Sequence, residues 1–398
     1  MFQTVAARSN SSVASQATRV DKPPPVRVIA YYLPQYHPIP ENDRWWGPGF
    51  TEWTNVTKCT SLFPGHHQPN LPADLGFYDL RVPETREQQA RLASDFGLEG
   101  FCYWHYWFGN GRRILERPFM EVLRDGRPSL PFCLGWANES WAGHHHGLKN
   151  RLLIEQQYPG LSDYQDHYRA LESAFLDNRY IKVCGKPLFV VYKPNDLPNP
   201  RQFTDCWRKL AIESGLPGLH LVGVGDSNWN PSHFGFDASI LHEPWETLKL
   251  IPESLIDRVL MWLLKKDLAA LTARVFGYPR VFDYSKFVES AFSNPIDYPN
   301  YPCVIPNWDT SPRLGTHAVV LQGANPELFA KLLRKGIEQV ANREQEERLV
   351  FIKSWNEWAE GNFVEPDRRF GRAYLESIKS CIAQAADVVA VRNEPCRK

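Results

Sequence analysis

Two kinds of segment alternate along the chain. Short, nearly continuous apolar runs are followed by longer stretches whose apolar residues recur at helical spacing. An unbroken apolar run suits a strand buried on both faces, as in a parallel sheet covered by helices. Eight such runs predict strands at 26–33, 100–104, 131–136, 188–192, 219–224, 238–241, 303–307 and 349–354. Helices are predicted at 83–96, 162–175, 204–214, 254–276, 326–342 and 372–388. The first opens on Pro83, whose missing N–H costs nothing in a first helical turn, and stops at Gly97.

This alternation predicts a single α/β domain over residues 26–390, a (β/α)8 TIM barrel with long insertions in its βα loops. The insertions, 34–82, 137–161 and 242–302, follow strands one, three and six, so they emerge on the C-terminal face. The rival is an open doubly wound sheet. It lacks support, because no Gly-x-Gly-x-x-Gly follows the first strand and no Gly-x-x-x-x-Gly-Lys-Ser/Thr loop occurs. Segment 254–276, with Leu255, Val259, Trp262, Leu263 and Leu271, reads as a helix packed on the barrel rather than a partner-binding or membrane-surface helix.

Charge narrows the partners. Lys+Arg and Asp+Glu both number 45, so no basic excess points to nucleic acid. No polybasic run suits an anionic membrane, and no long apolar stretch suits an integral membrane segment. Residues 1–25 are rich in Ser, Ala and Thr, end in Pro23-Pro24-Pro25, and predict a disordered leader without a secretory signal. Arg8 and Arg19, with few acids around them, leave organelle targeting as the other reading of that leader. The eight cysteines are scattered without a Cys-x-x-Cys pair, which predicts reduced thiols in a cytoplasmic protein and no structural disulfide. His144, His145 and His146 invite a metal reading, but no partner ligands stand at suitable spacing; neither metal nor cofactor is expected.

The 14 Trp change the picture more. A large core needs large side chains, yet many of these Trp stand beside polar residues at predicted strand ends. An indole face can stack on the C–H face of a sugar, which points to an oligosaccharide or polysaccharide substrate. The strongest signal is Lys353-Ser354-Trp355-Asn356-Glu357-Trp358-Ala359-Glu360-Gly361, directly after the last strand. Two carboxylates at i and i+3 can converge on one substrate if the turn begins helically. Glycosidic chemistry needs such a pair, one group protonated to donate and one ionised to act as base or nucleophile. Similar polar-aromatic clusters include Tyr31-Tyr32, Trp104-His105, Trp136-Ala137-Asn138-Glu139 and Asn307-Trp308-Asp309, with Tyr192 closing strand four. A solvated loop with incidental acids is the bland alternative, and two flanking Trp argue against it.

At these residues the sequence resembles the WbsX-type proteins of bacterial surface-polysaccharide clusters, from about Val28 to Ala385. The likeness rests on Ala30-Tyr31-Tyr32-Leu33-Pro34-Gln35-Tyr36-His37, Phe50-Thr51-Glu52-Trp53-Thr54-Asn55-Val56, Trp136-Ala137-Asn138-Glu139 and Trp355-Asn356-Glu357-Trp358-Ala359-Glu360-Gly361. These proteins resemble in turn the glycoside hydrolase family 99 endo-α-mannosidases, through Glu-Trp-x-Glu, the 72–78 stretch and the Glu after strand three. The resemblance implies Glu357 as base toward the sugar 2-hydroxyl, giving a 1,2-anhydro intermediate and net retention. It implies Glu360 as acid, Glu139 as an additional pocket carboxylate and Tyr192 as a pocket tyrosine. Tyr32, Trp104, His105, Trp136, Asn138, Trp308, Asp309, Trp355, Asn356 and Trp358 complete the expected substrate-binding set. The 34–82 segment and the element 136–141 depart from the hydrolase pattern, which leaves sugar and acceptor open. WbsX-type proteins also carry a glycosyltransferase label in lipopolysaccharide and other polysaccharide biosynthesis, but no nucleotide-sugar motif stands here. A non-catalytic glycan-binding protein is the third reading; it would not need both Glu357 and Glu360.

Overall fold

A computed structural model describes residues 24–143, 151–251 and 278–393. Its central sheet contains β1 (Arg27–Tyr32), β2 (Gly100–His105), β3 (Phe132–Trp136), β4 (Lys186–Val191), β5 (His220–Gly225), β6 (Ala238–Leu241), β7 (Asn300–Tyr301 and Cys303–Val304) and β8 (Leu349–Ile352). From β1 to β6 each strand pairs in parallel with the next. β7 is interrupted at Pro302, which has no N–H to give to a ladder. Its first half pairs with β6 and its second with β8, and β8 pairs with β1. The sheet thus closes on itself as the expected (β/α)8 barrel.

The barrel strands are buried almost throughout, which explains why they read as apolar runs rather than alternating ones. Helices Pro83–Asp95, Leu161–Phe175, Pro200–Glu213, Pro326–Val340 and Ala373–Asn393 agree with prediction to within a few residues. Asn199 and Asn325 cap two of them by accepting from the N–H of Gln202 and Leu328. Helix Pro326–Val340 buries Phe329, Leu332, Leu333, Gly336, Ile337 and Val340, the three-and-four spacing of a face turned to the barrel.

The structure differs from the prediction in three places. Helix Arg117–Asp125 follows β2 unpredicted, although Pro118 in its first turn and left-handed Gly126 at its end are ordinary boundary signals. Between β5 and β6, where no helix is predicted, the chain makes a 3-10 turn at Pro231–Phe234. β7 starts earlier than the predicted 303–307 and ends before Pro306. Strands Arg280–Asp283 and Val319–Gln322 pair with each other outside the barrel. The predicted helix 254–276, the triple histidine and leader residues 1–23 lie outside the described residues. Among the described residues seven cysteines are free thiols, and no helix is long and apolar enough to cross a membrane.

Candidate functional site

A cavity of about 340 Å³ opens where the strands end. Its walls carry Leu33 and Gln35 after β1, Trp104 and Tyr106 around the end of β2, Glu139 and Trp141 after β3, and Tyr192 and Lys193 after β4. His242 and Trp245 after β6, Trp308 and Arg313 after β7, and Lys353, Glu357 and Glu360 after β8 also line it. All lie at the C-terminal ends of the strands, the face that carries the site in barrel enzymes.

Strand alternation decides which residues reach the cavity. Trp104 points inward, its ring stacked on Tyr31 at 4.6 Å and 3°. It fits because β3 presents Gly135 opposite, where a Cβ would stand 2.9 Å from the indole. The next residue, His105, points outward and meets His167 of helix Leu161–Phe175 at 2.9 Å.

Glu357 and Glu360 are brought together by a tight turn. Asn356–Glu357 pairs antiparallel with Asn362–Phe363, and Trp358–Glu360 between them forms a 3-10 turn. Positions i and i+3 eclipse in that geometry, so both carboxyls face one guanidinium. Arg313 donates from Nη2 to Glu357 at 3.1 Å and from Nη1 to Glu360 at 2.5 Å, while its Nε donates to buried Glu52 at 3.2 Å. Burial pushes the Glu357 carboxyl up, and the Glu360 charge adds to it; Arg313 and Lys353 oppose them, and the net value is about 7.

The turn is fixed from two sides. Gly361 ends it with φ +70°, and a Cβ there would stand 2.8 Å from the Asp309 nitrogen. That nitrogen donates to the Glu360 carbonyl at 2.7 Å, tying the β7 and β8 loops together. Asp309 itself accepts from His66 at 2.8 Å, Gln68 at 2.6 Å and the Ser311 N–H at 2.9 Å. Burial alone would raise its carboxyl, but these hydrogen bonds outweigh it and hold it below the usual range. Behind Glu357, the Asn356 side chain accepts from the Leu33 N–H at 2.8 Å and donates to the Leu33 carbonyl at 3.0 Å. Tyr36 donates to the Asn356 carbonyl at 2.6 Å and accepts from the Trp358 N–H at 3.1 Å. Glu365 collects donors from Tyr78, Gln89 and the Trp358 indole at 2.8, 2.7 and 2.7 Å.

Opposite this turn, Glu139 pairs with Lys193 at 3.0 Å, and the Tyr192 hydroxyl meets His242 Nε2 at 2.9 Å. Burial, with Lys353 and Lys193 nearby, brings His242 down to about 3, so it is neutral at ordinary pH. Lys353 lies 4.8 Å from the Trp308 ring centre and 6.0 Å from that of Tyr192.

Six expected residues therefore share the cavity: Trp104, Glu139, Tyr192, Trp308, Glu357 and Glu360. Eight others do not line it. Tyr32 points outward and donates to Gln89 at 2.7 Å, the opposite face from Tyr31. His105 faces His167, and Trp136 donates its indole N–H to the Trp107 carbonyl at 2.9 Å. Asn138 binds the Lys193 backbone, donating at 2.8 Å and accepting at 2.7 Å. Asp309 and Asn356 anchor loops as described. Trp355 packs on Phe101 at 5.0 Å, and Trp358 stacks on Phe363 at 3.7 Å. These residues hold the site without facing it. Glu52, although it stands in a quoted motif, and Arg313 have no role in the sequence reading; their pairing joins loops 261 positions apart, which spacing cannot reveal. Lys353 and His242 directly follow strands and Lys193 stands one residue further on, positions that could have found them. Among the described residues no group of three or more His, Cys, Asp or Glu is placed to hold a metal ion.

The chain is 39% identical over 380 residues to the WxcX protein of Xanthomonas campestris pv. campestris strain B100, covering 94% of this chain and 52% of that protein. It thus spans about half the length of this curated relative. Among solved structures, a glycoside hydrolase-like protein superposes with TM-score 0.55 at 14% identity over 91% of this chain and 94% of that one. A family 99 endo-α-mannosidase from Bacteroides thetaiotaomicron gives 0.51 at 14% identity, covering 92% and 98%. These likenesses show a shared barrel fold. Residues 28–378 match the family described as glycosyltransferase WbsX, and the chain belongs to that family.

Proposed function

We propose that the protein is a carbohydrate-active enzyme acting on a glycosidic bond, as a retaining glycoside hydrolase or transglycosidase, with residues 26–390 as its catalytic domain. The observation that carries this reading is the convergence of Glu357 and Glu360 on one aromatic-walled cavity. Glu357 serves as base; a carboxyl raised to about 7 is matched to accepting a proton near neutral pH. It takes the proton of the sugar 2-hydroxyl, and that oxygen attacks C1. The glycosidic C1–O bond breaks as Glu360 protonates the departing oxygen. In the second step Glu360 takes a proton from water or a sugar hydroxyl, which opens the 1,2-anhydro ring at C1, and Glu357 returns its proton to O2. The family 99 endo-α-mannosidases, which share the barrel, support an α-linked substrate of mannose type.

The family description favours a second reading, glycosyl transfer, which the sequence resemblance would place in surface-polysaccharide biosynthesis. The same two steps deliver it when the acceptor is a sugar. The seven free thiols among the described residues suit a reducing, cytoplasmic setting. The test is a screen of defined glycans with the wild type and Glu360→Gln, scoring cleavage and transfer products together. Products from the wild type that vanish in the variant support the reading; glycan binding without products in either assigns a binding module.

A further inference from the structure

The cavity does not end at its own wall. Trp141, on that wall, is held edge-on by Tyr106 at 5.3 Å and 90° and by Phe108 at 6.3 Å and 87°. Its backbone is fixed by pairing of Trp141–Ala142 with Leu152–Ile154. On it rests Trp45, 6.1 Å away and tilted by 55°, from helix Pro40–Trp46 in a different loop. Both indoles are only partly buried. Another indole pair, Trp245 and Trp308, lies 6.0 Å apart on the cavity wall. Trp45 stands in the 34–82 segment and Trp141 in the element 136–141, the two parts of the sequence expected to depart from the endo-α-mannosidase pattern.

A rigid, half-exposed aromatic surface continuous with a carboxylate-bearing cavity suits the C–H face of a further sugar ring. Two aromatic rings tilted against each other form a shallow step rather than a slot for a flat aromatic ligand. We propose that Trp45 and Trp141 form an outer subsite that binds a sugar unit beyond those inside the cavity. The substrate is accordingly a glycan chain, not a single glycoside. This rests on the proposed glycosidic chemistry for its meaning but is tested by binding alone.

The experiment uses Glu360→Gln to suppress turnover. An array carrying each oligosaccharide at several chain lengths selects a ligand series, and titration calorimetry gives affinities for its short and long members. Trp45→Ala in that background should weaken the long member on the order of tenfold and leave the short one unchanged, while Trp141→Ala, whose indole also lines the cavity, should weaken the long member several-fold more than the short one. Trp141→Phe should recover part of the loss. Trp45 is the more peripheral, so its variant reads the subsite if Trp141→Ala fails to fold. Equal losses for short and long ligands, no loss, or no binding to any array member overturn the proposal. Chain-length-dependent binding without products from the wild type keeps the subsite and removes the catalytic reading. Products whose rates ignore both tryptophans at every length do the reverse.

Discussion

Glu52 accepts from Nε of Arg313 at 3.2 Å, which leaves both terminal nitrogens of the guanidinium for Glu357 and Glu360. One cation from the β7 loop thus holds three carboxylates, two of them the proposed catalytic pair. Glu52 is fully buried, so its charge has no water to share, and removing Arg313 would leave it uncompensated.

Arg313→Met should therefore shift the pH profile. Arg313 opposes the upward push on Glu357, so its loss moves that carboxyl higher. A base must be ionised to act, and the acid-side limb of kcat/KM should move to higher pH by about one unit or more. A limb that stays in place would contradict contact between Arg313 and the working base.

Glu357 should also be a burden on stability. Its folded-state value, about 7, lies above its ordinary 4.5, so the folded protein binds more protons than the unfolded chain between those values. Its stabilising contribution is complete below pH ~4.5 and is lost as pH rises through ~7. Glu357→Gln should raise Tm by ~1–3 °C at pH 8, with the gain fading toward pH 4.5. A pH-independent difference would show that the carboxyl is not perturbed in the folded state.

Gly361→Ala should damage both fold and activity. The new methyl would meet the Asp309 backbone at 2.8 Å in a left-handed conformation that L side chains rarely adopt. The expected cost is ~1–3 kcal/mol in denaturant unfolding, with a larger loss in kcat than in KM because Glu360 and Arg313 lose register. Wild-type stability and turnover would contradict the coupling of the two loops.

Tyr32→Phe separates supporting from lining residues. The hydroxyl donates to Gln89 and faces away from the cavity, so KM should hold while stability falls by ~1 kcal/mol. A several-fold rise in KM with unchanged stability would return Tyr32 to the substrate.

The barrel was legible because parallel strands buried on both faces read as plain apolar runs, and β1, β3 and β6 appear there nearly to the residue. β7 was blurred by its prolines, and the strand pair Arg280–Asp283 with Val319–Gln322 by its place inside insertions. Glu357 and Glu360 were readable because one short turn carries both. Spacing did not say which aromatic faces in: Tyr31 and Tyr32, or Trp104 and His105, look alike in a motif, and only the pleat separates them. Arg313 with Glu52 was beyond reach, since long-range charge pairing leaves no mark on local pattern.

The central claim, that Glu360 is the proton donor and Glu357 the base, is tested most directly by leaving-group dependence. Glu360→Gln and Glu357→Gln are each assayed on an unactivated glycoside and on one with a good leaving group. Glu360→Gln should lose on the order of 10²–10⁴ in turnover on the unactivated substrate and far less in the first step on the activated one. Glu357→Gln should lose activity on both, and a 2-deoxy substrate should fail with the wild type. Equal losses for Glu360→Gln on the two substrates would contradict the assignment.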